Sequence, residues 1–325
     1  MRVVISGGSG FVGSHLCEAL LRRGDRVCCL DDFSSGRAAN VGHLLHEPGF
    51  ECVPCDVTAR IRVTGSVDAV VHLASTASRC DCSRRSLQTL AVGSRGTENL
   101  LRLALRHQAR FVLASAGEVY GDPEAHPQDE DCSGRVNPVG PRSVYGEAKR
   151  FAEALTMAYR RSEGADAGIV RIFNTYGPRM RSHDGRVVST FIRQALDGEA
   201  LTLFGDGSQT RGFCYVDDLV GGLLAMIDTH VAGPFDLGDP SERTVRELAA
   251  LVLLITGSDR GLSFLPLPVD DPVCRRPVIT RAREGLGWHP RTPLEAGLRR
   301  TVAWFAGRSD TSVRPQEHSP AGRSS

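Results

Sequence analysis

The sequence predicts an α/β fold in which a doubly wound parallel sheet is followed by a smaller C-terminal α/β domain. In the first half of the 325-residue chain, short apolar runs alternate with amphipathic helical patterns, which is typical of βαβ units. A glycine-rich turn, Gly7-Gly8-Ser9-Gly10-Phe11-Val12-Gly13, follows the first apolar run and opens the first helical pattern. Two acidic residues, Asp31 and Asp32, end the second run. Together these observations indicate a sheet of the Rossmann type.

Local patterns place the elements of this fold along the chain. Apolar, β-branched runs predict six strands, at 2–6, 26–31, 51–55, 69–73, 111–115 and 167–173. Apolar residues at helical spacing predict helices at 13–23, 86–107 and 144–161. The remaining pattern predicts a loop at 174–184, a helix near 187–198, a short strand and helix within 213–229, and helices at 244–256 and 293–305. The order is that of a parallel sheet with helical crossovers.

The same patterns predict a division into domains. A dinucleotide-binding domain is expected at 1–174, with a segment of about 213–236 returning to it. A domain that binds the second ligand is expected at 175–212 and 237–306. The tail at 307–325 is rich in Ser, Arg, Pro and Gly and is predicted to be disordered.

Composition narrows the classes of function. Hydrophobic content of 41% and a net charge of +1 describe an ordinary globular protein and give no argument for a nucleic-acid partner. No apolar run approaches the roughly 20 residues that span a bilayer, and no charged leader precedes the first predicted strand, so a cytoplasmic protein without a membrane partner is expected. Ten cysteines in a chain of this length favour reduced thiols over a disulfide framework, and their spacings do not match a zinc site, so no metal is expected.

The glycine-rich turn predicts a dinucleotide site. Gly7 allows a tight turn, Gly10 a close approach of the backbone to a pyrophosphate, and Gly13 tight packing of helix on strand. The carboxylates of Asp31 and Asp32 can accept from an adenosine ribose, which favours NAD over NADP because a 2′-phosphate would meet like charge. Arg37 argues against this preference for NAD, since a nearby arginine can accommodate the 2′-phosphate of NADP.

Lys149 is the only lysine of the chain, and it stands four residues after Tyr145. This spacing places both side chains on one face of the helix predicted at 144–161. A cation beside the phenol would lower its pKa from the usual value of about 10. The pair is therefore interpreted as a tyrosine–lysine base, with a solvated surface pair as the alternative.

Further motifs carry a resemblance to a known family. With His72-Leu73-Ala74 and Glu118-Val119-Tyr120-Gly121, the chain resembles the extended short-chain dehydrogenases/reductases over about residues 2–305. Its longer motifs are similar to those of the UDP-glucuronate decarboxylases in that family; these are Gly140-Pro141-Arg142, Phe173-Asn174-Thr175-Tyr176-Gly177-Pro178-Arg179-Met180, the run at 184–189 and the run at 205–219.

The resemblance implies an NAD-dependent enzyme that acts on a nucleotide-diphosphate sugar, most closely a UDP sugar, through a transient 4-keto sugar. By motif position it implies catalytic roles for Tyr145, Lys149, Glu118 and Arg211, and substrate binding by Glu118, Asn174, Arg186, Gln209, Arg211 and Tyr215. The implied cofactor residues are Gly7, Gly10, Phe11, Val12, Gly13, Asp31, Asp32, Arg37, Asp56, Val57, Leu73, Ala74, Ser75, Tyr145, Lys149, Thr175 and Arg181. It also implies a homodimer built from the helices at 86–107 and 144–161, although their apolar residues fit burial against the sheet equally well. His72 is interpreted as a satisfied histidine at a strand end.

The chain departs from the family pattern on one side of the site. Where the family has a threonine two residues before the glutamate, completing a hydroxyl–tyrosine–lysine triad, this chain has Ala116. Strand alternation predicts that Ser115 points to the opposite face. Ala91 and Gly93 replace a lysine and an asparagine of the family, and an arginine-rich run occupies 79–85. These departures leave open a 4-epimerase, a dehydratase, or a weakly active protein that only binds NAD and nucleotide.

Overall fold

The computed structural model describes residues 1–121, 127–140, 143–267 and 274–309. Its helices are α1 (Phe11–Arg22), α2 (Arg79–Arg84), α3 (Ser86–Ala91), α4 (Thr97–His107), α5 (Ser143–Glu163), α6 (Val187–Leu196), α7 (Val216–Asp228), α8 (Val245–Thr256), α9 (Thr280–Leu286) and α10 (Leu294–Ser309). Its strands are β1 (Arg2–Ser6), β2 (Arg26–Asp31), β3 (Phe50–Pro54), β4 (Ala69–His72), β5 (Arg110–Ala116), β6 (Ala167–Ile172), β7 (Thr175–Tyr176), β8 (Leu201–Phe204), β9 (Thr210–Gly212), β10 (Cys214–Tyr215), β11 (Phe235–Leu237), β12 (Glu242–Thr244), β13 (Leu262–Leu265) and β14 (Cys274–Arg275).

A seven-stranded parallel sheet in the order β11-β6-β5-β4-β1-β2-β3 forms the centre, which confirms the predicted fold class. Successive residues of β1 enter different cores, because side chains of a strand alternate between faces. Val3 and Ile5 belong to the core that contains α1 and α7, whereas Val4 belongs to the core beneath α4. Helices therefore cover both faces, as a parallel sheet requires.

The predicted helix at 86–107 is wrong in one detail, since a π-helical turn at Val92–Gly96 interrupts it. A Cβ atom added to Gly93 would lie 2.8 Å from the Cβ of Ala148 on α5. Glycine at this position therefore lets α5, which carries Tyr145 and Lys149, pack closely against the turn. π-turns of this kind occur frequently at functional sites.

The second half of the chain returns to the central sheet before it forms its own layers. Helix α7 packs against α1, and β11 then pairs with β6 at the sheet edge. Small sheets β12-β9-β14 and β13-β8, with α6 and α8, form the adjoining region. The predicted domain boundaries stay a prediction.

Two expectations from the sequence fall partly outside the described residues. Helix α10 extends to Ser309, so residues 307–309 of the predicted disordered tail are helical, and 310–325 lie outside the described residues. Pro141 and Arg142 of the motif before Tyr145 also lie outside them. In the part of the chain that the structure describes, no helix has the length and apolar character needed to cross a membrane.

Candidate active site

A cavity of about 420 Å³ opens where the central strands end. Its wall includes Gly7 after β1, Asp31 at the end of β2, Leu73 after β4, Ala116 at the end of β5 and Phe173 after β6. The carboxyl ends of parallel strands meet at one edge of a sheet, and ligands of open α/β sheets bind in the crevice there. The candidate site is this crevice.

The glycine-rich turn forms a cradle that side chains would fill. Gly7 has φ +75°, and a Cβ atom there would lie 2.7 Å from the backbone nitrogen of Ala74. A Cβ atom at Gly13 would collide with the Gly7 carbonyl oxygen. Helix α1 begins at Phe11, and the first residues of its first turn line the cavity, so the N–H groups and positive dipole end of this helix lie at the site. These features fit a dinucleotide pyrophosphate.

The two carboxylates at the end of β2 differ in their burial and in their hydrogen-bond partners. Buried Asp31 accepts hydrogen bonds from the backbone nitrogens of Ser9 (2.9 Å) and Phe33 (2.8 Å), which ties β2 to the glycine-rich turn. Burial raises the pKa of the Asp31 carboxyl. Exposed Asp32 accepts from the backbone nitrogen of Ser34 at 2.9 Å, and both carboxylates line the cavity. Each carboxylate retains acceptor capacity, so both can accept a hydrogen bond from a ribose hydroxyl.

His72 lies beneath the site as a structural residue. Its Nδ1 atom lies 2.8 Å from the Ser6 hydroxyl, and its ring also contacts the backbone of Val92. Burial, together with the charge of Lys149, lowers the pKa of His72 to about 3, so the ring is neutral at physiological pH. The interpretation of His72 as a satisfied histidine is confirmed.

Tyr145 and Lys149 face each other on α5, as their spacing predicts. The Lys149 ammonium lies 5.7 Å from the centroid of the Tyr145 ring and donates a 2.7 Å hydrogen bond to the carbonyl of Ala114. Burial lowers the pKa of Lys149 to about 8. Burial and the charge of Glu118 raise the pKa of Tyr145, while Arg186 and a hydrogen bond from Ser75 act in the opposite direction. Lys149 is buried and Tyr145 half-buried, which excludes the surface-pair alternative. The pKa of the phenol is raised rather than lowered, contrary to the expectation from the sequence, and the role of the pair as a base stays a prediction.

The end of β5 has no hydroxyl that reaches Tyr145. Ala116 is buried, with 4% of its surface exposed. Ser115 donates to Glu153 of α5 at 2.6 Å, as strand alternation predicts. The position that carries the triad hydroxyl in the family therefore presents only a methyl group to the site.

The far part of the cavity is lined by the residues expected to bind substrate. Glu118, Asn174, Arg186, Gln209 and Arg211 all lie on its wall. Gln209 is 7% exposed; its amide nitrogen donates to the Phe204 carbonyl at 2.7 Å, while its buried Oε1 atom has no partner within the described structure. An unsatisfied buried acceptor is costly, so this oxygen is suited to accept a hydrogen bond from a ligand.

Most predicted cofactor residues line the same cavity. On its wall are Gly7, Gly10, Phe11, Val12, Gly13, Asp31, Asp32, Asp56, Val57, Leu73, Ala74, Ser75, Tyr145, Lys149, Thr175 and Arg181. The Thr175 hydroxyl donates to the Phe173 carbonyl at 3.0 Å, and Arg181 forms an ion pair with Asp81 of α2. The structure thus brings the two predicted groups into one continuous crevice.

Two predicted site residues are placed elsewhere. Tyr215 is 4% exposed and packs edge-on against Tyr176 at 5.6 Å between centroids, so its assignment to the substrate site is corrected. The reason is that Tyr215 ends β10 at the start of α7, where its ring enters the core. Arg37 is not part of the cavity wall either; its backbone nitrogen donates to the Ser9 carbonyl at 3.0 Å.

Sequence reasoning missed several wall residues. Asn40 donates from its side chain to the Ser9 carbonyl at 3.0 Å, and Arg179 adopts φ +68° while pairing with Glu18 of α1. Gln88 and Val92 reach the cavity from α3 and the π-turn. Only Arg179 lay within a quoted motif; the others carry no local sequence signal. In the arginine-rich run, Arg84 and Arg85 are not part of the wall.

The described side chains form no group of three or more His, Cys, Asp or Glu that could hold a metal ion. The absence of a metal stays a prediction. The cysteines described as free thiols are Cys17, Cys28, Cys29, Cys52, Cys55, Cys82, Cys132 and Cys214.

The chain is similar to known enzymes over most of its length. A family model described as "NAD dependent epimerase/dehydratase family" matches residues 3–238. UDP-glucuronic acid decarboxylase 1 of Danio rerio is 48% identical over 305 residues, which cover 94% of this chain and 72% of that protein. The structure of UDP-glucose 4-epimerase from Thermotoga maritima, with UDP-glucose, is similar at a TM-score of 0.86 and 28% identity, covering 95% of this chain and 100% of the other. The structure of UDP-glucuronic acid 4-epimerase from Bacillus cereus, in complex with UDP-glucuronic acid and NAD, is similar at a TM-score of 0.84 and 26% identity, covering 94% of this chain and 99% of the other.

Proposed function

The chain belongs to the NAD-dependent epimerase/dehydratase family, and from that premise we propose that it removes CO2 from UDP-glucuronate, or a close relative, through a transient 4-keto sugar. Its cofactor is NAD. The pair of half-buried Tyr145 and buried Lys149 carries the proposal, because it shares with Glu118 the wall of a cavity that begins at a dinucleotide cradle. The curated relatives named UDP-glucuronic acid decarboxylase support this substrate.

Tyr145 is assigned the role of base at the sugar 4-hydroxyl. A phenolate there accepts the O4 proton as C4 is oxidised to a ketone, and the phenol later returns that proton. The neighbouring cation on Lys149 favours the phenolate. Gly7, Gly10 and Gly13 of the cradle would hold NAD, which would supply the hydride-transfer chemistry at C4.

Loss of CO2 needs stabilisation of charge on the sugar ring. Once C4 is a ketone, the C5 carboxylate is a β-keto acid; its C5–carboxyl bond breaks, and the electron pair passes into an enolate that is then protonated at C5. We assign stabilisation and proton delivery at this point to Glu118 and Arg211, which share the cavity wall. Asn174, Arg186 and Gln209 are assigned to the nucleotide diphosphate.

Incubation of the protein with UDP-glucuronate and NAD tests the reaction directly. The expected result, read by mass spectrometry of the nucleotide sugar, is a product lighter by one CO2. An isomer of unchanged mass would instead indicate the epimerase, which the similarity to the Bacillus cereus enzyme keeps as the second candidate. No turnover on a panel of nucleotide sugars would contradict both activities and leave a protein that only binds NAD and nucleotide.

We further propose that the chain forms a homodimer through α3 and α5. Leu87 is 84% exposed and Leu90 is 40% exposed on α3, and Phe151 on the adjacent α5 is 53% exposed. Leu87 and Leu90 share a helix face at three-residue spacing, so the three side chains suit an apolar interface.

The proposed dimer can be tested by introducing a charged residue into its interface and, as a comparison, outside it. Leu87→Glu is expected to convert the dimer to monomer in analytical ultracentrifugation, because the interface would bury an unpaired carboxylate. Leu254→Glu is the matched control, since Leu254 is 73% exposed on α8, outside the proposed interface. A wild-type chain that sediments as a monomer would contradict the proposal.

The prediction of a cytoplasmic enzyme remains part of the proposed function. It is supported by the cysteine content, because ten cysteines in a chain of this length favour reduced thiols over a disulfide framework.

A further inference from the structure

A group of buried polar contacts lies one helical turn after the lysine of the candidate base. Glu153 follows Lys149 by four residues on α5, so the two side chains share one face of the helix. The Glu153 carboxylate accepts from the Ser115 hydroxyl at 2.6 Å and from Arg171 of β6 at 3.0 and 2.8 Å. The side chain of Glu153 is 13% exposed and that of Arg171 is 12% exposed. These bonds tie α5 to two neighbouring strands of the central sheet.

Lys149 and Glu153 contact β5 at consecutive residues. The Lys149 ammonium donates to the Ala114 carbonyl at 2.7 Å, and the next residue, Ser115, donates to Glu153. Helix α5 is thus held against β5 at two points, one at the ammonium and one a turn further along. The pair of Glu153 with Arg171 is bidentate, which fixes direction as well as distance. The position of the ammonium relative to the sheet therefore depends on how Glu153 is anchored.

The buried ion pair is better explained by this placement than by stability. Desolvation offsets much of the attraction within a buried pair, so such a pair is weak evidence for stabilisation. Arg171 also donates to the Tyr120 hydroxyl at 2.8 Å, and Tyr120 belongs to the same short helical turn as Glu118, Gly117–Tyr120. The contacts of Arg171 therefore reach both segments that carry the candidate catalytic groups, α5 and the turn after β5.

Several elements place charged or titratable groups around Lys149. They include Tyr145 and Glu153 of α5, His72 of β4, Glu118 of the turn after β5 and Arg171 of β6, while Arg95 of the π-turn is exposed to solvent. Burial lowers the pKa of Lys149 to about 8, and the two carboxylates, Glu118 and Glu153, act in the opposite direction. His72 is neutral, because its pKa is lowered to about 3. The ammonium thus depends on these two carboxylates for its charge.

We infer that Glu153 is the positioning residue of Lys149: held by Ser115 and Arg171, it fixes the helical turn after the ammonium to the sheet and places a negative charge on the face that Lys149 shares. The inference rests on the proposed function, because that function assigns Lys149 as the cation that favours the Tyr145 phenolate. Glu153 is not part of the cavity wall, so it acts through Lys149 and not on the substrate.

Lys149 can be observed alone, because it is the only lysine of the chain. Lysine labelled with ¹³C at Cε gives a single resonance, whose titration follows the Lys149 ammonium without any turnover. Glu153→Gln keeps the size of the side chain and an acceptor oxygen for Ser115, but it removes the charge. We expect this variant to lower the pKa of Lys149 from about 8 by about one pH unit. An unchanged titration would overturn the inference.

Glu163→Gln is the matched control. Glu163 is the exposed last residue of the same helix, about 21 Å from Lys149 along the axis at a rise of about 1.5 Å per residue. This distance is about twice the Debye length at 0.1 M salt, so the control should leave the lysine titration at the wild-type value.

A double variant, Glu153→Gln with Arg171→Met, keeps the inference testable if Glu153→Gln alone does not fold. Replacement of a whole buried ion pair is often tolerated, whereas removal of one partner leaves the other charge uncompensated. The double variant should also lower the pKa of Lys149 below the wild-type value, because the charge of Glu153 is gone. A wild-type titration in the folded double variant would equally contradict the role of Glu153.

Turnover of UDP-glucuronate then separates positioning from a general loss of structure. In Glu153→Gln, the fall of kcat at high pH is expected to begin about one pH unit lower than in the wild type, with little change in KM. A loss of kcat by the same factor at every pH, with an unshifted profile, would show a merely structural role and contradict the inference. Absence of turnover in the wild type would instead count against the proposed function, and the lysine titration would still decide on Glu153.

Discussion

Tyr145→Phe is expected to lower kcat by about 10³-fold while leaving NAD and UDP binding intact. The change removes the only oxygen assigned as base at the sugar hydroxyl, and general-base catalysis contributes about 10²–10⁴ in rate. The phenyl ring still fills the same space against the Lys149 ammonium, 5.7 Å from its centroid in the wild type. Steady-state kinetics with UDP-glucuronate, and calorimetric titration with NAD, provide the two measurements.

Tyr159→Phe is the matched control for this experiment. Tyr159 lies on the same helix, α5, but outside the cavity wall, where its hydroxyl accepts from Arg102 at 3.3 Å and donates to Glu98 at 3.4 Å. Its kinetics should equal those of the wild type. Tyr145→Phe with more than a tenth of the wild-type kcat would rule out the assignment of this phenol as the base.

Lys149→Met is expected to lower kcat by about 10²-fold or more without destabilising the protein strongly at neutral pH. Without the cation, the phenolate of Tyr145 is less favoured. Burial lowers the pKa of Lys149 to about 8 from its ordinary 10.5, so the folded protein bears a cost of about 3 kcal/mol when this ammonium is charged. The variant loses this cost, but it also leaves the Ala114 carbonyl without its donor, at about 1–3 kcal/mol.

The two contributions predict a pH dependence with a definite sign. Between pH 8 and 10.5 the unfolded chain keeps the lysine proton that the folded protein has lost, so the stability of the wild type gains from this group as pH rises. Lys149→Met has no such gain. Its free energy of unfolding, relative to the wild type, should therefore fall from near equality at pH 7 to a deficit at pH 10, measured by urea unfolding.

Arg106→Met supplies the control for this comparison. Arg106 is an exposed basic residue in the last turn of α4, so its replacement by methionine changes no buried group. Its free-energy difference from the wild type should not change with pH. A constant difference for Lys149→Met as well would contradict the assignment of Lys149 as a buried cation with a lowered pKa.

The sequence interpretation was most accurate where the geometry depends on a single helix, strand or turn. Four-residue spacing on α5 is enough to place Tyr145 and Lys149 on one face, and a glycine repeat between a strand and a helix is enough to predict the cradle. Strand alternation also accounts for the Ser115 hydroxyl, which donates to Glu153. These outcomes depend on backbone geometry within a single segment, which the sequence specifies directly.

The sequence-based predictions failed where packing between distant segments determines the position or conformation of a residue. Tyr215 lies within a matched motif, yet its ring turns into the core against Tyr176 and Arg300. The π-turn at 92–96 forms where Gly93 meets Ala148, a contact between residues far apart in the chain. Neither is visible in local periodicity.

By itself, the sequence determined the parallel sheet, the dinucleotide cradle and the tyrosine–lysine pair, because each follows from short-range spacing and strand–helix alternation. The tertiary structure alone decided which residues share the wall of the site. Ser75 after β4, Tyr145 on α5 and Arg211 on β9 line one cavity although they are far apart in sequence. The physical reason is that the active site lies at the shared edge of neighbouring strands, where residues far apart in sequence are closest in space.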